Sequence, residues 1–314
     1  MKDLSIIIPF AGEYPQAIFT VQAIAQSLLG KIEFEIIVID NYCKELKDQL
    51  TASKQTHSMV NKSAEAFKSS ERGNEWLRYM KFDERLSHWE CKRLACEVAD
   101  SDTFLFIDAH CIPSMGIEKM FFEYVDEGYS ELGTFHMPLT YKILEWRKLI
   151  YKMVVEDDFY GYSFTGFRES DFPYTVPCMS TCGMMISRKV YDKVGGWPKR
   201  MQAYGGGENF INYAMGVCGL DKFIYPHVTL HHHGEKRDYH STYNGTLMNR
   251  MIAHYLFGGS VALNAMAQSQ RGNEKVLKSM VESIVHNQDH RKQRLTIKSN
   301  SSMSLQDFVE SWRG

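Results

Sequence analysis

The chain predicts an α/β fold, a mostly parallel sheet flanked by helices and followed by a helical C-terminal extension. Three observations carry that reading. Short apolar runs of strand length alternate with amphipathic helical stretches. The first such repeat, "LSIIIPF", "PQAIFTVQAIAQSLLG" and "FEIIVIDN", reads as strand, helix, strand with short connections. The pattern changes near residue 240, beyond which helical periodicity takes over. A βαβ unit forces its two strands parallel and its crossover right-handed.

The bulk numbers set bounds on this chain. With 314 residues, 44% hydrophobic and 13% aromatic, the chain can build one large core or two small ones. A net charge of -2 and a pI near 6.6 provide no general attraction to nucleic acid or anionic membranes. Seven cysteines, an odd number without a C-x-x-C pair, argue against a disulfide framework and a zinc ribbon and read as reduced, buried thiols. The N-terminal "MKDLSIIIPF" meets Pro9 and Glu13 where a signal peptide would still be apolar, and no window reaches membrane-span length. A cytoplasmic protein is expected.

The elements follow in order. Residues 44 to 80 are polar, with "WLRYMKF" an apolar island in a connection expected to hold short helices. In "RLSHWECKRLACEVADS", Leu86, Trp89, Leu94 and Val98 share a helical face, and the strand "TFLFID" follows. "MGIEKMFFEYV" predicts a helix, "LGTFHMPL" a strand and "ILEWRKLIYKMVV" a helix before an aromatic, acidic loop. The strand "CMSTCGMMIS", the helix "RKVYDKVGG", a helix to about Cys218 and the strand "KFIYPHVTL" complete the first 240 residues. Helices are expected over 241 to 268 and 273 to 286, then a basic stretch "HRKQRLTIK". A last helix is opened by Ser304 with Asp307 three residues on, a capping-box variant. The domain reading is one unit over 1–240, divided into halves 1–112 and 113–240, with 241–314 as a helical extension.

In an open parallel sheet, ligands collect where strands end. Asp40 and Asp108 stand at two such ends. On an extended chain Asp108 and His110 would face the same way with Ala109 turned back, a geometry suited to two ligands of one metal ion. A carboxylate with an imidazole favours a borderline ion such as Mn²⁺ over Mg²⁺, although Mg²⁺ remains compatible. The bland alternative makes Asp108 a helix cap and His110 a solvated loop residue. Further on, "TLHHHGEKRDYH" offers His231 and His233 on one face of a strand end, with His232 opposite.

"LSIIIPF", "EIIVIDN", "FLFIDAHC" and "GGGENF" stand in the order and spacing of family 2-like glycosyltransferases, and the chain resembles that family over roughly residues 3 to 240. "FIDAHC" with "GGEN" is most similar to the polypeptide N-acetylgalactosaminyltransferase branch, whose metal motif is D-x-H. The resemblance implies the GT-A fold of nucleotide-diphospho-sugar transferases, with a Rossmann-like sheet, and a metal-dependent transfer of sugar from a nucleotide donor, UDP-linked by expectation. It implies Mn²⁺ held by Asp108, His110 and His231, with His233 as the alternative. Pro9, Asp40, Arg93, Asp108 and Ala109 would meet the nucleotide, and Lys236 and Arg237 the diphosphate under a mobile loop. Gly206 and Gly207 would let the backbone approach the donor, Glu208 and Asn209 would be catalytic, and Trp197 would lie beside the sugar.

Asn209 stands where most inverting members carry an aspartate base. An amide cannot accept a proton at neutral pH, so retention is the expected outcome, with inversion through Glu208 as the alternative. The acceptor is left open between a glycan, a protein and modified DNA. A sugar-phosphate nucleotidyltransferase would need a glycine-rich basic loop after the first strand, which "PFAGEYPQ" lacks. A nucleic-acid reading rests on "HRKQRLTIK" and on the aromatics between 146 and 174, and merges with the first if the acceptor is a flipped DNA base.

Overall fold

The computed structural model describes residues 1–43, 57–141, 146–156, 159–233, 243–270 and 272–312. Its first unit is β1 (Leu4–Phe10), α1 (Tyr14–Leu28) and β2 (Phe34–Asp40). Both strands are buried along their whole length, as expected of central strands in a sheet covered on two faces. β1 and β2 pair in parallel, Leu4 opposite Phe34 through Phe10 opposite Asp40.

The polar connection resolves into α2 (His57–Gly73), a longer helix than expected, and β3 (Leu77–Lys81), which places the "WLRYMKF" island as a parallel strand beside β2. Next come α3 (His88–Val98), capped by the Ser87 side chain accepting from the Glu90 amide, and β4 (Thr103–Phe106), parallel to β1. The chain then runs through β5 (Cys111–Pro113), α4 (Ile117–Asp126), α5 (Tyr129–Leu132), β6 (Gly133–His136) and β7 (Leu139–Thr140).

The segment expected as a helix from "ILEWRKLIYKMVV" instead forms the strand β8 (Leu149–Glu156) in a hairpin with β9 (Phe159–Gly166). Cross-strand packing decided this. Tyr151 stacks on Tyr162 with ring centroids 4.5 Å apart, a pairing that aromatic and β-branched residues make in a ladder. After β10 (Tyr174–Thr175), β11 (Met184–Ser187), α6 (Arg188–Lys193) and α7 (Gly207–Val217), the expected "KFIYPHVTL" strand splits into β12 (Asp221–Ile224) and β13 (Leu230–His232), which join different sheets.

The main sheet runs β10-β12-β6-β11-β4-β1-β2-β3, and the second runs β5-β13-β7-β8-β9. β4, β1, β2 and β3 form a parallel block, while β11 lies antiparallel between β4 and β6. The second sheet stands over the carboxyl end of that block, because β5 leaves β4 after a four-residue turn and pairs with β13.

The C-terminal helices are α8 (Tyr243–Ser269), α9 (Glu274–His286), α10 (Gln288–Asn300) and α11 (Leu305–Glu310). "HRKQRLTIK" is therefore helical, and Ser304 with Asp307 forms a reciprocal capping box. Gly259 kinks α8 at φ 69°, where the Arg294 guanidinium donates to the carbonyls of Tyr255 (2.8 Å) and Leu256 (3.2 Å). These helices bring Leu247, Met251, Ile252, Leu256 and Ile297 into one cluster with Ile7, Ile37 and Phe104 of the sheet. The boundary expected near residue 240 lies outside the described residues. Among the described residues, no helix is long and apolar enough to cross a membrane.

Candidate active site

β1, β2 and β4 end on one edge, and a cavity opens there. Pro9, Glu13, Asn41, Asp108, Ala109 and His110 are among the residues that line it. From the far wall, Arg85, His88 and Tyr204 complete the lining.

Asp108 and His110 do not sit on an extended strand. β4 ends at Phe106, and the Cys111 amide donates to the Asp108 carbonyl at 3.0 Å, closing a turn. Thr20 of α1 fastens that turn by donating to the carbonyls of Ala109 (2.7 Å) and Cys111 (3.2 Å). The turn replaces the expected two-residue alternation, and it changes which histidine answers His110. In the antiparallel ladder β13 sets His232 opposite Cys111 and His231 opposite Ile112. His232 Nε2 consequently lies 3.2 Å from His110 Nε2. His231, the favoured ligand, instead pairs its Nδ1 with Thr140 Oγ1 at 3.0 Å, and burial lowers its pKa. His233 donates its backbone amide to the His110 carbonyl at 3.0 Å. Among the described residues, the donor atoms of His110, Cys111 and His232 form a group within 4.8 Å of one another.

Asp108 stands outside that group, with His88 Nε2 at 3.7 Å from its Oδ1 and its backbone amide on Cys182 Sγ at 3.2 Å. Cys111 and Cys182 are both buried, with sulfurs 3.4 Å apart. Burial, followed by the neighbouring Cys182, pushes the Cys111 thiol well above its usual value. Glu13 places Oε1 at 2.9 Å from the other ring nitrogen of His110. On donor chemistry, two imidazoles, a thiol and nearby carboxylates fit a divalent cation of borderline character.

Several expected contacts lie elsewhere. Asp40 is 0% exposed and turned away from the cavity. Its carboxylate accepts from Tyr14 (2.7 Å), from Tyr79 and from the Tyr42 amide (2.9 Å), and it pairs with Lys81 at 2.9 Å. Four partners saturate the group, and its neighbour Asn41 lines the cavity in its place. Asn41 accepts from the Leu86 amide at 3.0 Å and donates to the Glu84 carbonyl at 2.7 Å, so it holds the segment carrying Arg85. Burial, followed by the Asp40 charge, raises the Tyr14 and Tyr79 hydroxyls and keeps both as donors.

Arg93 points to the opposite side of α3, where it pairs with Glu97 and, at 3.5 Å, Glu90 in a groove against α10. Its sequence neighbour Lys92 faces the interior, 0% exposed, among the rings of Trp89, Phe106 and Trp197 at 5.2, 5.4 and 5.6 Å. Lys92 Nζ reaches Thr181 Oγ1 at 3.5 Å, and Thr181 in turn donates to Glu208 Oε1 at 3.1 Å.

Trp197 is a core residue, 2% exposed, with its ring 5.1 Å from that of Trp89. The glycines before Glu208 serve packing. A Cβ on Gly207 would fall 2.1 Å from the Trp89 ring, and one on Gly206, where φ is 77°, would fall 2.7 Å from Asn249 Cβ. Glu208 is half-buried in the first turn of α7 and Asn209 is buried behind it. Lys236 and Arg237 lie outside the described residues.

Glu13, Asn41, His88 and Lys92 were not singled out from the sequence, and His232 was placed opposite the favoured His231 and His233. Glu13 and His232 carried a usable signal, since one follows directly on a strand end and the other lies inside the histidine run.

No family model matches the chain, and no curated protein matches it in sequence. Among solved structures it is similar to GalNAc-T7 crystallised with UDP, GalNAc and Mn²⁺, at TM-score 0.64 and 15% identity, covering 99% of this chain and 56% of that one. It is also similar to S. aureus TarS 1-349 in complex with UDP-GlcNAc, at TM-score 0.54 and 10% identity, covering 99% of this chain and 81% of that one. TarS 1-349 with UDP gives TM-score 0.52 at 10% identity, covering 99% of this chain and 91% of that one. Identities this low speak for the fold alone: the chain has the GT-A fold with a helical C-terminal region.

Proposed function

We propose that this chain is a metal-dependent glycosyltransferase that takes a sugar from a UDP-linked donor. The observation that carries the reading is the meeting of His110 and His232, with Nε2 atoms 3.2 Å apart, at the rim of a cavity where three parallel strands end. The D-x-H turn and the solved GT-A structures with bound UDP and Mn²⁺ support it. So does the polypeptide N-acetylgalactosaminyltransferase-like motif set.

In this reading His110 and His232 hold a divalent cation, Mn²⁺ by preference, with Asp108 and Cys111 beside them. The cation supplies Lewis-acid stabilisation of the leaving diphosphate. Pro9, Ala109 and Asn41 shape the nucleotide end of the cavity, and Asn41 holds Arg85 at its wall. The second sheet covers the histidine side and limits water there. Glu208 is held by Thr181 under the influence of buried Lys92, at the far side of the β8–β9 hairpin.

Asn209 supplies no base, which supports retention, with donor and product sharing anomeric configuration; inversion would run through Glu208, whose Oε1 accepts from Thr181. The acceptor remains a glycan, a protein or a modified base in DNA. The test is a panel of UDP- and GDP-sugars assayed for release of nucleoside diphosphate with Mn²⁺ or with EDTA. Release from at least one UDP-sugar, lost in EDTA, is the expected result, and metal-independent release or none across the panel overturns the proposal.

A further inference from the structure

Glu13 occupies the N-cap position of α1, where a shorter Ser, Thr, Asp or Asn side chain ordinarily accepts from the first free amides of the helix. Here it makes no capping bond. Its carboxylate reaches across to His110 Nδ1 at 2.9 Å, and the two side chains are 27% and 7% exposed. The α1 helix therefore grips the 108–111 turn twice, through Thr20 on the backbone and through Glu13 on the imidazole.

The two grips differ chemically. Thr20 fixes where the turn lies. An ionised carboxylate is an acceptor only, so Glu13 requires Nδ1 to carry the proton and leaves the Nε2 lone pair directed at His232. At 3.2 Å from that lone pair, His232 Nε2 either donates its proton to it or shares a cation with it. A carboxylate on the far nitrogen of a ligating histidine fixes its tautomer and raises its basicity, and losing such a partner costs metal affinity.

We propose that Glu13 is a positioning residue for the cation site, holding His110 in the Nδ1–H tautomer so that Nε2 is presented to the ion. The inference rests on the cation reading given above. From the start of α1 the Glu13 carboxylate is directed at the imidazole and not at the helix amides.

Two readouts test it on the full chain, neither of which requires turnover. Isothermal titration with Mn²⁺ and Zn²⁺ compares wild type, His110→Ala, Glu13→Ala and Glu13→Gln. Side-chain ¹⁵N spectra of histidine-labelled protein, recorded without metal, report the His110 tautomer. Wild type is expected to show Nδ1–H, and Glu13→Ala a mixture. The Glu13→Ala dissociation constant should rise ~10–100-fold at unchanged melting temperature. Glu13→Gln, whose amide oxygen still accepts from Nδ1–H, should recover most of the affinity and the wild-type tautomer. Equal affinity in wild type and Glu13→Ala overturns this inference while leaving the cation site standing. Wild type that binds neither ion, or binds both as well after His110→Ala, overturns the cation reading itself.

Discussion

Asp40 and Asp108 end, or nearly end, the strands on either side of β1 in the same parallel block, yet only Asp108 lines the cavity. Asp40 closes β2 under two tyrosines, a lysine and a backbone amide, whereas Asp108 follows β4 into a turn that opens on the cavity. A strand end supplies a place for a carboxylate, and the surrounding side chains decide whether it is structural or available. Three tyrosine and lysine donors from α1 and β3 claim Asp40. Asp108 has the His88 imidazole at 3.7 Å, and the group lines the cavity.

The contrast can be broken most sharply at Asp108. Asp108→Ala should reduce cation-dependent nucleoside diphosphate release by roughly 10³-fold or more, about the several kcal/mol that charge stabilisation at the leaving group is worth. Full activity in a folded variant would place Asp108 with Asp40 among structural groups.

Asp40→Asn tests the other side. Removing the charge leaves Lys81 beside an amide and disturbs two tyrosine hydrogen bonds, at a cost of roughly 3 kcal/mol in denaturant unfolding. Activity per folded molecule should stay within about threefold, which is under 1 kcal/mol.

His136, at the end of β6, is a third inward-facing strand end. Its Nδ1 donates to the Ser180 carbonyl at 3.0 Å, Thr134 Oγ1 donates to its Nε2 at 2.8 Å, and burial pushes its pKa down to about 3. The unfolded chain binds a proton near pH 6.5 that the folded chain refuses until about 3. The stabilisation from a neutral His136 is complete above pH 6.5 and lost as pH falls through that window. Melting between pH 7 and pH 4 should show the decline, and His136→Gln should flatten it. The smallest effect belongs to Arg93→Ala: the groove it occupies is remote from the cavity, so donor turnover should change by less than about twofold, well under 1 kcal/mol.

The parts of this molecule that depend on local pattern were readable from the chain. The opening βαβ unit and the Ser304 cap both follow from spacing of a few residues. What could not be read depends on partners far along the sequence. That His232 and not His231 lies against His110 is set by a ladder to a strand some 120 residues earlier, and by a turn where an extended chain was expected. The partners that claim Asp40 arrive from α1 and β3, which its own strand does not reveal. The orientation of α3 turns Arg93 outward to Glu97 and its neighbour Lys92 inward among aromatic rings. In "ILEWRKLIYKMVV" the apolar spacing suited a helix, and pairing with β9 overrode it.

The kink at Gly259 has a reach beyond its own helix. By donating to the carbonyls that the bend exposes, Arg294 ties the first half of α8 to α10, and α8 packs along α7 with the Phe257 ring against Phe210 and Tyr213. The last quarter of the chain thus behaves as a keel rather than an appendage. A version cut back to residue 242 would present bare hydrocarbon along Phe210 and Tyr213 of α7, and calorimetry on the intact chain should register a single cooperative melt.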